Sequence, residues 1–191
     1  MARVLTLICE GETAARRRGL FPGEDALTPL SLRQAEALRG AFPLGDEVWS
    51  APQTASRQTA VALALRFAVE PSLADLDYGR WTGRRIQDVM SEEPEGFRAW
   101  MGGAAPPEGE ALADLFARVD RWLTARAHVK GRVAVVASAN VVRAAILARL
   151  GAGPEAASRL DVMPLSVSEF TSDGRTWRLR SLNSGSRTRS G

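Results

Sequence analysis

Histidine and cysteine are almost missing from this chain of 191 residues: His128 and Cys9 are the only examples. A lone cysteine cannot close a disulfide within the chain, and no Cys or His cluster exists to hold zinc, which fits a reducing compartment. Long apolar runs are missing too. No stretch approaches the roughly 18 residues that span a bilayer, and the N-terminal ARVLTLICEG turns acidic too soon for a secretion signal, so a soluble cytoplasmic protein without a membrane partner is expected. Lysine is scarce, and the formal charge of +3 rests on scattered arginines. ARRRG at 15–19 is the only dense basic run, a solvated loop or an anion-binding rim. No basic helix carries interleaved aromatics, which argues against a nucleic-acid partner.

What is present is an ordinary globular composition, 45% hydrophobic and 25% charged, sufficient to bury one core. RVLTLIC (3–9), EVWSA (47–51) and RVAVVAS (132–138) are short apolar runs, each followed by a helical pattern. The helices are expected at 31–42, 54–68, 109–127 and 139–151. Apolar strands alternating with amphipathic helices predict an α/β fold, a three-layer α/β/α sandwich around a mostly parallel sheet. Residues 166–183 add a late hairpin around Asp173-Gly174. One domain is expected over 1–182, with 183–191 as a flexible tail that has nothing apolar to bury.

In such sheets ligands sit beyond the carboxyl ends of the strands, where loop amides and helix N-termini converge. CEGET, SAPQTAS and SANVVR all end at that rim, and the Gly-bracketed turn around Trp81 forms a further wall.

Seven segments, LICEGET, EDALTPLSLRQAEAL, VWSAPQTASRQTAVAL, LADLDYGRWTG, FRAW, PPEGEALADLFARVDRWL and VAVVASANVVRAAI, resemble in order and spacing the motifs of the histidine phosphatase superfamily, the phosphoglycerate mutase-like fold. The likeness covers residues 3 to 150. It implies an Arg-His-Gly-Glu-Thr turn whose histidine is phosphorylated, but those first two positions are Cys9 and Glu10. The family's second pocket arginine falls on Ala55, two residues before Arg57. Its second histidine falls on Ser138, and its proton-donor glutamate on Asp75. The segment 84–108 matches the variable insert over the pocket, with Phe97, Trp100 and Met101 at helical spacing.

A single histidine leaves no route to two-histidine chemistry, and His128 precedes the strand 132–138 at its amino end, across the sheet from the rim. A phosphoryl pocket works by surrounding anionic oxygens with fixed positive charge, so these replacements predict a neutral or acidic cup. Arg57, Arg143 or the 16–18 run could restore it only by facing the cup. The expected lining is Cys9, Glu12, Arg57, Ser138, Asn140 and Trp81 around Glu10 and Asp75. Each has a plainer role as well: Cys9 as strand-end packing, Glu12 as turn architecture, Trp81 as core and Ser138 as an N-cap. No cofactor and no metal are expected. Three functions stay open: a binding or regulatory pseudophosphatase taking a small molecule or a protein partner, an enzyme using Glu10 and Asp75 as acid and base on a non-phosphorylated metabolite, and a residual phosphatase.

Overall fold

The computed structural model describes residues 3–42, 46–126 and 131–185, so His128 lies outside the described residues. A six-stranded sheet runs in the order β3-β2-β4-β1-β5-β6. Its strands are β1 (Arg3–Cys9), β2 (Glu47–Ser50), β3 (Ala68–Val69), β4 (Gly131–Ala137), β5 (Val167–Ser172) and β6 (Trp177–Ser184). The first four run parallel, and β5 and β6 form the antiparallel hairpin at one side. The helices are α1 (Ala14–Arg17), α2 (Pro29–Ala37), α3 (Thr54–Ala62), α4 (Ile86–Glu92), α5 (Pro94–Met101), α6 (Leu112–Ala125) and α7 (Ala139–Arg149). No described helix is long and apolar enough to cross a membrane.

β1 is buried almost throughout because helices cover both sheet faces. Leu5 and Leu7 pack with Val133 and Val135 against α6 and α7, while Ile8 and Val136 pack with Ala60 and Leu63 of α3 on the opposite face. The three layers and the mixed, mostly parallel sheet match the fold class read from sequence.

Several boundaries differ from expectation, among them that of the helix expected over 31–42, which ends at Ala37. The helix expected over 54–68 stops at Ala62, because Ala64 adopts φ +57 and the Leu65 amide returns to the Ala60 carbonyl at 3.0 Å, burying Leu65. This left-handed C-terminal turn is made by an alanine rather than a glycine, so composition gave no stop signal. The chain freed by that stop supplies β3 at the sheet edge. At the other end of the chain β6 runs through Ser184, past the expected boundary at 182, and the remainder of the expected tail from residue 186 lies outside the described residues.

The insert packs through aromatics. Trp81, fully buried, has ring centroids 5.3 Å from Phe21, 6.0 Å from Trp100 and 6.4 Å from Phe97, and its indole N–H donates to Glu93 at 3.0 Å. Gly79, at φ +52, lets the preceding loop turn against the Pro107 carbonyl, where a Cβ would collide. Trp81→Ala is therefore expected to lower unfolding free energy by about 3–5 kcal/mol in urea denaturation. A loss below about 1 kcal/mol would contradict the anchoring role.

Candidate active site

The register of β1 against β4 builds the floor of the site. Their pairing runs from Arg3 opposite Gly131 to Cys9 opposite Ala137, so the next residues, Glu10 and Ser138, leave the sheet side by side. The Glu10 amide donates to the Ala137 carbonyl at 2.8 Å and fixes that exit. β2 ends beside them, because the Ala51 amide donates to Val136 at 2.8 Å, and α3 then brings Ser56 and Thr59 to the same place.

Glu10 is only 6% exposed, and one carboxylate oxygen accepts the Ser56 hydroxyl at 2.5 Å. The backbone around it is held by Thr59, whose Oγ1 accepts the Gly11 amide at 3.0 Å. Asp75 arrives from the loop after the short 3-10 turn Pro71–Leu73. Its Oδ1 accepts the Ser138 hydroxyl at 2.5 Å, the Leu76 amide at 2.8 Å and Asn140 Nδ2 at 3.0 Å. Asn140 Nδ2 also reaches Tyr78 Oη at 3.0 Å, and Asn140 Oδ1 accepts Arg143 Nη1 at 3.1 Å. One connected network thus links Asp75, Ser138, Asn140, Tyr78 and Arg143.

Burial, reinforced by the charge of Asp75, pushes the Glu10 pKa up to about 7, against the downward pull of the Ser56 hydrogen bond and Arg16. Burial raises the Cys9 thiol to about 12, which leaves it unreactive. Tyr78 rises to about 12, through burial and Asp75. Burial alone would lower Arg16, but the charges of Asp75, Cys9 and Glu10 outweigh it and hold its pKa above the ordinary value. Arg143 moves the other way, lowered by burial and by Arg16.

Glu10, Asp75, Ser138 and Asn140 therefore do meet. The other expected lining residues do not. Arg57 is exposed, because on α3 it is Ser56, one residue earlier, that points inward; a step of one residue turns a helix by about 100°. Cys9 and Trp81 are fully buried in the core. Glu12 turns outward to within 3.8 Å of Arg17, while its amide donates to Ser31 at 2.8 Å as part of the turn. Ser138 combines both of its readings, accepting the Val141 amide at 3.3 Å as the N-cap of α7 while donating to Asp75.

The larger correction concerns charge. Arg16 and Arg143 line one cavity of about 270 Å³ together with Tyr78 and Asn140, with Asp75 and Glu10 acting electrostatically on Arg16 and Asp161 on Arg143. Across Tyr78 a second cavity of about 380 Å³ is lined by Glu24, Gln53, Asp75 and Asp77. Arg143 was legible in principle, since it lies three residues beyond Asn140 on α7. Arg16 sits on a four-residue helix, too short for any periodicity to assign its face. Ser56 and Tyr78 carried no separate sequence signal. Among the described residues no group of three or more Cys, His, Asp or Glu is arranged to hold a metal ion.

The profile of the histidine phosphatase superfamily (branch 1) matches residues 5–185. A bifunctional protein of Mycobacterium tuberculosis is 30% identical over 187 residues, covering 89% of this chain and 51% of that protein. The chain thus spans about half the length of the curated relatives it first matches. The adenosylcobalamin/alpha-ribazole phosphatase of Escherichia coli is 30% identical over 131 residues, 62% of this chain and 64% of that one. The crystal structure of the alpha-ribazole phosphatase from Shigella flexneri superposes with a TM-score of 0.87 at 26% identity, covering 95% of this chain and 96% of that one.

The raised Glu10 pKa ties stability to pH. Because the folded state holds this proton more tightly than the unfolded chain, the stabilisation is complete below the ordinary value of 4.5 and is lost as pH rises through about 7. Glu10→Gln, which cannot ionise, should be more stable than the parent by up to about 3 kcal/mol at pH 8, with the difference vanishing near pH 4. Urea denaturation at both pH values measures this, and a variant less stable at pH 8 would refute it.

Proposed function

The chain belongs to branch 1 of the histidine phosphatase superfamily, and we propose that it is a member without phosphohistidine chemistry, using the inherited pocket to bind a small molecule. The observation that carries this reading is Glu10, a buried carboxyl group at the position where the family resemblance expects the phosphorylated histidine. A histidine accepts a phosphoryl group through a neutral ring nitrogen. A carboxyl group there offers no such nitrogen, and in its ionised form it repels the incoming group by about 4 kcal/mol at 4 Å and an effective dielectric of 20. His128, the only histidine of the sequence, lies outside the described residues, and Glu10 and Ser138 follow the carboxyl ends of β1 and β4.

Relatives named as phosphatases make a phosphate ester the first ligand to consider. Against it stands the charge balance. Arg16 is offset by Asp75 and Glu10 and Arg143 by Asp161, so the site offers little net positive charge to a dianion. The insert 84–108, whose Trp100 and Met101 border the cavity beside Arg143, sets the size of what enters. A second reading has one specific observation in its favour: Glu10, with a pKa of about 7, and Asp75, bound by three donors, are two carboxyl groups in unlike surroundings, as an acid and base pair requires.

The purified chain is expected to hydrolyse p-nitrophenyl phosphate no faster than its Glu10→Gln variant, and to carry no acid-labile phosphate after incubation with phosphate esters. Turnover that survives purification to homogeneity and disappears in Glu10→Gln would overturn the reading.

A further inference from the structure

We propose that the ligand is a monocarboxylic acid with a small apolar tail, its carboxylate held by Arg16, Arg143 and the Tyr78 hydroxyl and its tail lying toward the insert. This rests on the binding reading above and assigns the ligand's class.

Arg16 and Arg143 are both half-buried and share one cavity, yet among the described residues neither has a carboxylate within ion-pairing distance. Their acidic neighbours act from beyond ion-pairing distance, which leaves guanidinium N–H groups open to a ligand. Arg143 is pre-aimed. Its Nε donates to the Leu160 carbonyl at 2.7 Å and its Nη1 to Asn140 at 3.1 Å, which fixes the plane and leaves Nη2 to a ligand. Tyr78, which lines the same cavity, accepts from Asn140 through Oη at 3.0 Å, so its own proton is free for a ligand. Arg16 donates no side-chain hydrogen bond to a described residue. Three donor groups therefore converge on one cavity.

Charge selects a monoanion. The two guanidinium groups balance the carboxylates of Asp75 and Asp161 when Glu10 carries its proton, so an added carboxylate brings one surplus negative charge and a phosphoryl dianion two. The groups acting on Glu10 are Asp75 and Asp25, which favour its protonated form, and Arg16 and the Ser56 hydroxyl, which oppose it. An added anion joins the first set, so binding takes up a proton and weakens as pH rises from 6 to 8.

The tail follows from the adjoining space. Arg143 and Tyr78 also border a cavity of about 260 Å³ whose other walls are Leu76, Trp100, Met101, Leu112 and Leu160, with Asp161 at its rim. That wall suits an aromatic ring or a branched aliphatic chain, with Ser158 and Asn140 as its uncharged polar members.

The test is calorimetric titration of the full chain at pH 6.5 with acetate, 3-methylbutanoate, phenylacetate and 3-phenylpropionate, against phenyl phosphate and 2-phenylethanol. Affinity should rise from acetate to the aryl acids, with phenyl phosphate at least tenfold weaker than phenylacetate and the alcohol silent. Arg16→Gln and Arg143→Gln should each weaken phenylacetate tenfold or more, Arg57→Gln should not, and Glu10→Gln should flatten the pH dependence. Arg16 makes no structural hydrogen bond, so its variant is informative even if Arg143→Gln fails to fold. Equal or tighter binding of phenyl phosphate, affinity unchanged in Arg16→Gln, or no heat from any carboxylate would overturn the assignment. If the chain binds only phenyl phosphate without hydrolysing it, the carboxylate assignment fails while the binding reading stands; if it hydrolyses phosphate esters, the binding reading itself fails.

Discussion

The site depends on the parallel pairing of β1 with β4. Seven residues in register deliver Glu10 and Ser138 to the same edge of the sheet, and a slip of one residue would turn every side chain to the opposite face. Because both strands are covered by helices, the floor they create is buried. A carboxyl group placed there cannot behave like one in water. Its raised pKa, the tight Ser56 bond and the electrostatic reach of Asp75 and Arg16 all follow from that placement.

Around the floor, the chain has redistributed charge rather than removed it. The family resemblance puts arginines at positions 9 and 55, and both are apolar or small here and buried. Positive charge comes instead from Arg16 of α1 and Arg143 of α7, which line one cavity. The network from Asp75 through Asn140 to Arg143 makes this arrangement cooperative, since each member orients the next. An inherited fold thus keeps a polar cavity in place while the residues around it differ, which is why membership of the superfamily fixes the architecture here and leaves the chemistry to the particular residues.

Much of this was readable before any coordinates. Strand positions followed from short apolar runs, and the meeting of Glu10, Asp75, Ser138 and Asn140 followed from the order of the motifs. What escaped was orientation. Arg57 and Ser56 are neighbours in sequence with opposite fates, and only the phase of α3 against the sheet separates them. Arg16 lies in a single helical turn that has no period to read. The early stop of α3 depends on an alanine in a glycine-like conformation, a choice made by the burial of Leu65 rather than by local propensity. Each miss concerns the tertiary setting of one side chain.

The central claim is that the residue at the phosphohistidine position is a buried, proton-holding carboxyl group. Carbon-13 NMR titration of the Glu10 side-chain carboxyl, assigned by loss of its resonance in Glu10→Gln, measures this directly. The account predicts a midpoint near 7, well apart from the surface glutamates. A midpoint near the ordinary 4.5 would place Glu10 in water and contradict it.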